Sequence, residues 1–453
     1  MSLTGLPLDG ATAYLGVPYA EPPVGPLRWQ PPVPVTSLPA EALAFGPSAP
    51  QLEGPFSGLV PGMRVGVTDE DCLTLNVWSP DGADGLPVMV WFHGGAFQIG
   101  GSSLPTYDGR LLAVEQRVVV VSVNYRLGAL GWLTGAPGVT PNCGQLDQLL
   151  ALAWVRDHIA DLGGDPGNVT VFGESAGAGS VLHLLPVADG LFHRAIAASP
   201  GAGQTLPPAV AAQVAEALLS RVVLDAPVGD ILAAQAEVAA ELLPVVGSMP
   251  FHPSGAPLAG RTGSVPLLAG TTAHEMRLFV PAMELDDATL VSLLEPLLSA
   301  EAHRPLGADA VAAVVAAYDG PTAFGDIATD VTMRLPLADV LDAHDGPVFA
   351  YSFTWESVGF GACHAVDLPF TFGTFDVDGW REWVGGSPDE LGRAVRDAWG
   401  SFARSGVPSA KGLPTWPAYD RARLTMSLGR TVELAEDPLA SARKRCSPVR
   451  LLN

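Results

Sequence analysis

The sequence predicts an α/β fold, with a mostly parallel central sheet and helices on both of its faces. Three observations carry this. Residues 87–92 and 117–125 form runs of mainly β-branched and aliphatic residues, as strands buried on both faces do. Such runs alternate with stretches of helical period, notably 145–159, where Leu146, Leu149, Leu150 and Ala153 share one face. Chemically capable residues also fall just after the strands, where open α/β sheets bind ligands.

In chain order, a short strand at residue 14 leads into a Pro-rich extended segment that ends near Trp29. Residues 72–78 alternate apolar and polar, as a half-exposed strand does. The strand at 87–92 ends in His93, Gly94 and Gly95. The helix at 145–159 is stopped by Gly163 and Gly164. Strands follow at 169–172, 194–199, 265–270 and 347–355. Helical patches fall at 206–223, 230–243, 288–298, 309–318, 336–343 and 388–404, and 361–370 reads as a loop.

Composition narrows the function. At 453 residues, length alone suggests about three domains. No linker, repeat or low-complexity tract divides the chain, however, and 48% hydrophobic content suffices for one large core. With 24 basic against 47 acidic side chains, the net charge of −23 disfavours nucleic acid and anionic membrane as partners. Neutral or cationic substrates meet the least repulsion. The first residues lack the basic and apolar segments of a signal peptide, and no apolar run is long enough to span a membrane. Cys72, Cys143, Cys363 and Cys446 lack metal-site spacing. A cytoplasmic protein without metal or cofactor is expected.

The centre of the reading is Gly173-Glu174-Ser175-Ala176-Gly177. A strand precedes it and a helix follows, which makes it a nucleophile elbow: a sharp turn that projects the Ser175 hydroxyl from the end of the sheet. Gly173 and Gly177 let strand and helix approach closely. A serine hydroxyl needs a base, and the base needs a carboxylate to fix its tautomer. The order Ser, acid, His leaves three candidate bases. His303 has no strand before it, His344 follows a helix, and His364 lies in a loop after a strong strand. Glu275 follows the strand at 265–270 and precedes His364; Asp326, Asp330 and Asp367 are alternatives, the last expected to cap local backbone. Glu174 reads as a buried carboxylate that orders nearby loops. The N–H of Ala176, with those of Gly94 and Gly95, suits an oxyanion, each such donor being worth roughly 3 kcal/mol in the transition state.

Eight segments together resemble the type-B carboxylesterases, the cholinesterase-like family, and in particular its bacterial para-nitrobenzyl esterase-like branch. They are 16–20 with 22–28, 70–77, 92–97, 124–128, 163–166, 172–178, 270–275 and 364–370. The resemblance implies an α/β-hydrolase catalytic domain over 1–453, with insertions near 200–262 and 276–345 forming the pocket wall. It implies a serine carboxylesterase with Ser175 as nucleophile, Glu275 as acid, His364 as base, and Gly94, Gly95 and Ala176 as the oxyanion hole, without metal or cofactor. Hydrolysis of a carbamate, amide or thioester on the same triad is the alternative; a non-catalytic interaction protein of the same fold is a remote one. The chain departs from the family pattern in several places, among them Asp367, where the family usually has Glu. The opening hairpin is expected to be largely missing, Cys72 to be a free thiol, and the abbreviated 199–263 region to leave a wider pocket.

Overall fold

The computed structural model describes residues 3–449, apart from 54–57, 189, 202–204, 248, 256–262, 303 and 378. His303 and part of the 199–263 region therefore lie outside the described residues. The apolar runs become strands: β1 (Thr4–Leu8), β2 (Ala11–Pro18), β3 (Glu41–Ala42), β4 (Thr74–Pro80), β5 (Leu86–Phe92), β6 (Val119–Val123), β7 (Gly164–Glu174), β8 (Arg194–Ala198), β9 (Leu267–Thr272), β10 (Val348–Phe353), β11 (Leu424–Leu428) and β12 (Val432–Glu436). Among the described residues these form one sheet in the order β12-β11-β10-β9-β8-β7-β5-β6-β4-β2-β1-β3. From β6 to β11 in that order every neighbouring pair is parallel, whereas β4–β6, β2–β4, β1–β2 and β11–β12 are antiparallel.

Strand alternation explains why the central runs are apolar throughout. Val88, Val90 and Phe92 of β5 point into one core, with the helices Cys143–His158 and Ala176–Leu184. Met89 and Trp91 point into the other, with the helices Arg110–Gln116 and Asp389–Ser405. The Trp91 ring lies 4.8 Å from Phe172, 4.9 Å from Phe372 and 5.1 Å from Tyr107, centroid to centroid. Each pair adds about 1 kcal/mol to plain burial. Together they fasten β5 to β7 directly beneath the ends that carry His93 and Ser175.

Three expectations are corrected. A hairpin does open the chain: β1 and β2 pair antiparallel, with Leu6 opposite Ala13, around Asp9 and Gly10. Residues within 361–370 are not all loop, because Leu368–Phe372 is a short helix whose five residues are all buried. The strand expected to be half exposed at 72–78 is β4, whose seven residues are all buried; strands β11 and β12 were not foreseen, β12 having two glutamates and a partly exposed edge. Cys72, as expected, is a free thiol, and so are the other three cysteines.

One long helical stretch is irregular. The helix Ala323–Thr329 passes through a π-helical turn, Asp330–Arg334, into the helix Leu335–Ala343. Asp330 is buried and accepts from Tyr318 Oη at 2.7 Å, from Arg334 Nη1 at 2.7 Å and from Arg445 Nη2 at 3.3 Å. It thereby ties the turn to the helix Ala440–Arg445.

Candidate active site

Ser175 sits between β7 and the helix Ala176–Leu184 with φ 57° and ψ −124°. A non-glycine residue there costs about 1–3 kcal/mol, which the surroundings must supply. Ser175 N donates to Ala198 O at 2.9 Å, and Gly179 N donates to Ser175 O at 2.8 Å. The flanking glycines are as tight as the elbow requires. A Cβ on Gly177 would lie 2.0 Å from Phe92 O, and one on Gly173 would lie 2.5 Å from Gly177 backbone.

Beyond β5, the glycine loop runs past the serine. A Cβ on Gly94 would fall 3.0 Å from Ser175 Cβ and 2.9 Å from Glu174 O. Gly95 has φ 113°, and its carbonyl accepts from Gln98 N at 3.0 Å and Ile99 N at 2.9 Å. His93 is buried, stacks on Tyr125 at 4.6 Å, and has Nδ1 2.8 Å from Gly94 O. Burial pushes His93 down to about 4, so its ring is neutral and donates from Nδ1. In a trans peptide the C=O and N–H point oppositely. Holding Gly94 O toward His93 therefore aims the Gly95 N–H away from that ring.

His364 is buried, with Nδ1 2.6 Å from Glu275 Oε2. Glu275 is fully buried, and its other oxygen accepts from Thr272 N at 2.7 Å. The remaining ring nitrogen, Nε2, lies 3.2 Å from Glu174 Oε1. Glu174 is thus buried as expected, but its carboxyl faces the imidazole with Oε1 as well as lying against the Gly94 loop with Oε2. Asp367 is also corrected: its side chain makes no capping bond to the helix Leu368–Phe372 and is buried in the same cluster. The other candidates lie elsewhere. His344 shares Nε2 with Val265 O at 2.8 Å, Asp326 pairs with Arg277, and Asp330 holds the π turn.

The cluster cannot carry all its charges. Desolvation lowers His364, but Glu174 and Glu275 outweigh it and raise the imidazole to about 9. Burial raises Glu174 and Asp367, helped by neighbouring carboxylates. Closely spaced buried carboxyls cannot all ionise, so Glu174 keeps its proton and adds no charge that would lift His364. That leaves His364 freer to be neutral near pH 7.

Native Glu174 holds its proton above the ordinary carboxylate range, so its stabilisation is present at low pH and is lost as pH rises. Glu174→Gln, which cannot ionise, should gain melting temperature relative to wild type between about pH 5 and about pH 9. A difference that stays constant or narrows across that range would contradict the raised carboxyl.

Ser175, Ala176, Gly95, Glu174 and His364 line one cavity, which encloses about 1370 Å³ of space, partly open to solvent. Its walls are mostly apolar, with Leu59, Val60, Leu278, Phe279 and Leu297, and four methionines, Met63, Met249, Met276 and Met333. Glu275 lies behind His364. The loop carrying Leu59 and Met63 gave no sign in the sequence, since scattered apolar residues in a Gly- and Pro-rich stretch have no period to read. Among the described residues no group of three or more His, Cys, Asp or Glu side chains could hold a metal ion, and no helix is long and apolar enough to cross a membrane.

A model of the Carboxylesterase family matches residues 3–446. The para-nitrobenzyl esterase of Bacillus subtilis (strain 168) is 34% identical over 97% of this chain and 96% of its own length. The cocaine esterase of Homo sapiens is 32% identical over 91% of this chain and 82% of its own. A solved thermophilic PNB esterase superposes with a TM-score of 0.86 at 34% identity, covering 98% of both chains.

Proposed function

The chain belongs to the carboxylesterase family and is a carboxylic ester hydrolase of the α/β-hydrolase fold, and on that premise we propose that its reaction runs on Ser175, His364 and Glu275. The observation that carries this is the shared cavity wall of Ser175 and His364, with His364 Nδ1 held 2.6 Å from a fully buried Glu275. Glu275 accepts the hydrogen bond from Nδ1–H and so leaves the lone pair on Nε2 to act as the base. His364 takes the Ser175 proton as the hydroxyl adds to the ester carbonyl. The tetrahedral oxygen is received by the N–H groups of Gly94, Gly95 and Ala176. His364 then protonates the departing alcohol, which leaves an acyl group on Ser175. In the second half it activates water to release the acid. Hydrolysis of para-nitrophenyl butyrate by wild type and Ser175→Ala tests the assignment, and equal rates would overturn it.

The substrate is read from the cavity. Among its described lining residues there is no Lys or Arg, while Glu174 and Glu301 are present. Esters with apolar, neutral or cationic groups fit best, and the four thioethers give walls that adapt to shape. We read the insertions 200–262 and 276–345 as pocket wall within a single catalytic domain, supported by Met249, Leu297 and Met333. Nucleic acid is disfavoured by the net charge of −23, and the free buried cysteines suit the cytoplasm. The expected kcat/KM for a hemisuccinate ester is at least about tenfold below that for the uncharged butyrate of the same alcohol. Enlarging the alcohol from methyl to naphthyl should cause no sharp fall. Equal rates for the anionic ester, or a steep loss with the bulky alcohol, would refute this substrate class.

A further inference from the structure

His274 immediately precedes Glu275 in the chain, and the mechanism does not use it. Its contacts give it a place. His274 N donates to Ala362 O at 2.9 Å, and Ala362 N donates back to His274 Nδ1 at 3.1 Å. The imidazole nitrogen thus stands where a backbone carbonyl would stand in a β-bridge and closes a reciprocal pair. One step further along, His364 N donates to Glu275 O at 3.2 Å, and the His364 ring meets Glu275 Oε2 at 2.6 Å. Two successive rungs therefore join the turn after β9 to the loop after β10, and the second rung is the acid–base pair itself. The loop fits closely around the ring: a Cβ on Gly361, whose φ is 67°, would fall 2.8 Å from His274 Nδ1.

We propose that His274 is a positioning residue, whose unprotonated Nδ1 accepts the Ala362 N–H and so fixes the loop of His364 against the turn of Glu275. This rests on the reading of Glu275 and His364 given above. The two partners come from elements that are otherwise joined by a chain of almost ninety residues, so nothing local in sequence sets their separation. Glu275 and His364 bring the charge; His274 sets the frame in which the charge is delivered. The groups around the ring support the neutral form that an acceptor needs. Burial and Arg277 lower it, with Arg334 acting in the same sense, and Asp326 and Glu356 only partly oppose them. Arg277 is itself engaged by Asp326, at 2.9 Å.

The test compares wild type, His274→Leu, His274→Asn and Ser175→Ala on para-nitrophenyl butyrate. Leucine has no acceptor, whereas the asparagine side-chain oxygen can take the same N–H. His274→Leu should lose about 10- to 100-fold in kcat with KM changed by less than about twofold, the scale expected when a catalytic pair is slightly misplaced. His274→Asn should stay within about threefold of wild type. A leucine variant with wild-type kcat, an asparagine variant as slow as leucine, or a loss confined to KM would overturn the proposal. Should the leucine variant not fold, 15N imidazole shifts of the wild-type enzyme decide, with the His274 signal assigned by its absence from His274→Asn. An unprotonated Nδ1 with a proton on Nε2 is expected, and a protonated Nδ1 at neutral pH would sink the idea. Ser175→Ala separates the two levels. If it is inactive while the His274 variants behave as wild type, only this inference fails; if it is active, the reading of the site fails.

Discussion

Ser175→Ala should lower kcat for para-nitrophenyl butyrate by roughly 10⁴- to 10⁶-fold while leaving melting temperature close to that of wild type. The loss is large because the hydroxyl is the only atom exchanged, and the acyl-enzyme needs it. Residual rate should come from water in a site that still offers the N–H groups of Gly94, Gly95 and Ala176. Stability should change little because Ser175 holds the turn through its backbone, with N bonded to Ala198 O and O bonded by Gly179 N. A fluorophosphonate should label wild type at Ser175 and fail to label the variant. A variant that keeps its rate or its label would mean that another group attacks.

Glu275→Gln should cost about 10³- to 10⁴-fold in kcat, although it changes one oxygen to nitrogen. The argument is one of hydrogen-bond polarity. Thr272 N–H already points at Oε1, so a glutamine places its oxygen there and turns its NH₂ toward His364. An NH₂ facing Nδ1 demands a lone pair on that nitrogen, which moves the ring proton to Nε2. His364 then has no lone pair for the Ser175 proton, and the charge that would stabilise its imidazolium is gone. Measuring kcat against pH for the variant checks this. A loss of less than about tenfold would mean that Glu275 is not the partner that sets the tautomer.

The sequence was most informative where a chemical need and a local backbone need coincide. Ser175 between Gly173 and Gly177 is such a place, because a left-handed serine with backbone oxygens 2.0 to 2.5 Å from absent Cβ atoms admits few other residues. The central strands are legible for the same reason, since burial on both faces leaves no polar position. Cooperation between distant segments left weaker marks. The opening hairpin was not expected, although Asp9 and Gly10 stand at its turn. Leu368–Phe372 is helical because all five residues are buried, a property of the packed core and not of the local pattern. The contact of Glu174 with the base, and the electrostatic influence of Asp367 on it, depend on which strand ends meet, and no spacing within either segment encodes that. His274 was invisible for a related reason: its partner is a backbone N–H, which every residue except proline carries.

The π turn at Asp330–Arg334 has a consequence for how this pocket can change. Upstream of its end, Thr332 and Met333 face the cavity. Downstream, Leu337, Val340 and Leu341 face the core on one side of the sheet. The inserted residue sets the angle between those two faces, because removing it would turn one against the other by about 100°. Gaining or losing a single residue here would re-aim the wall without moving a strand. Such a joint separates the shape of the pocket wall from the placement of Ser175, Glu275 and His364.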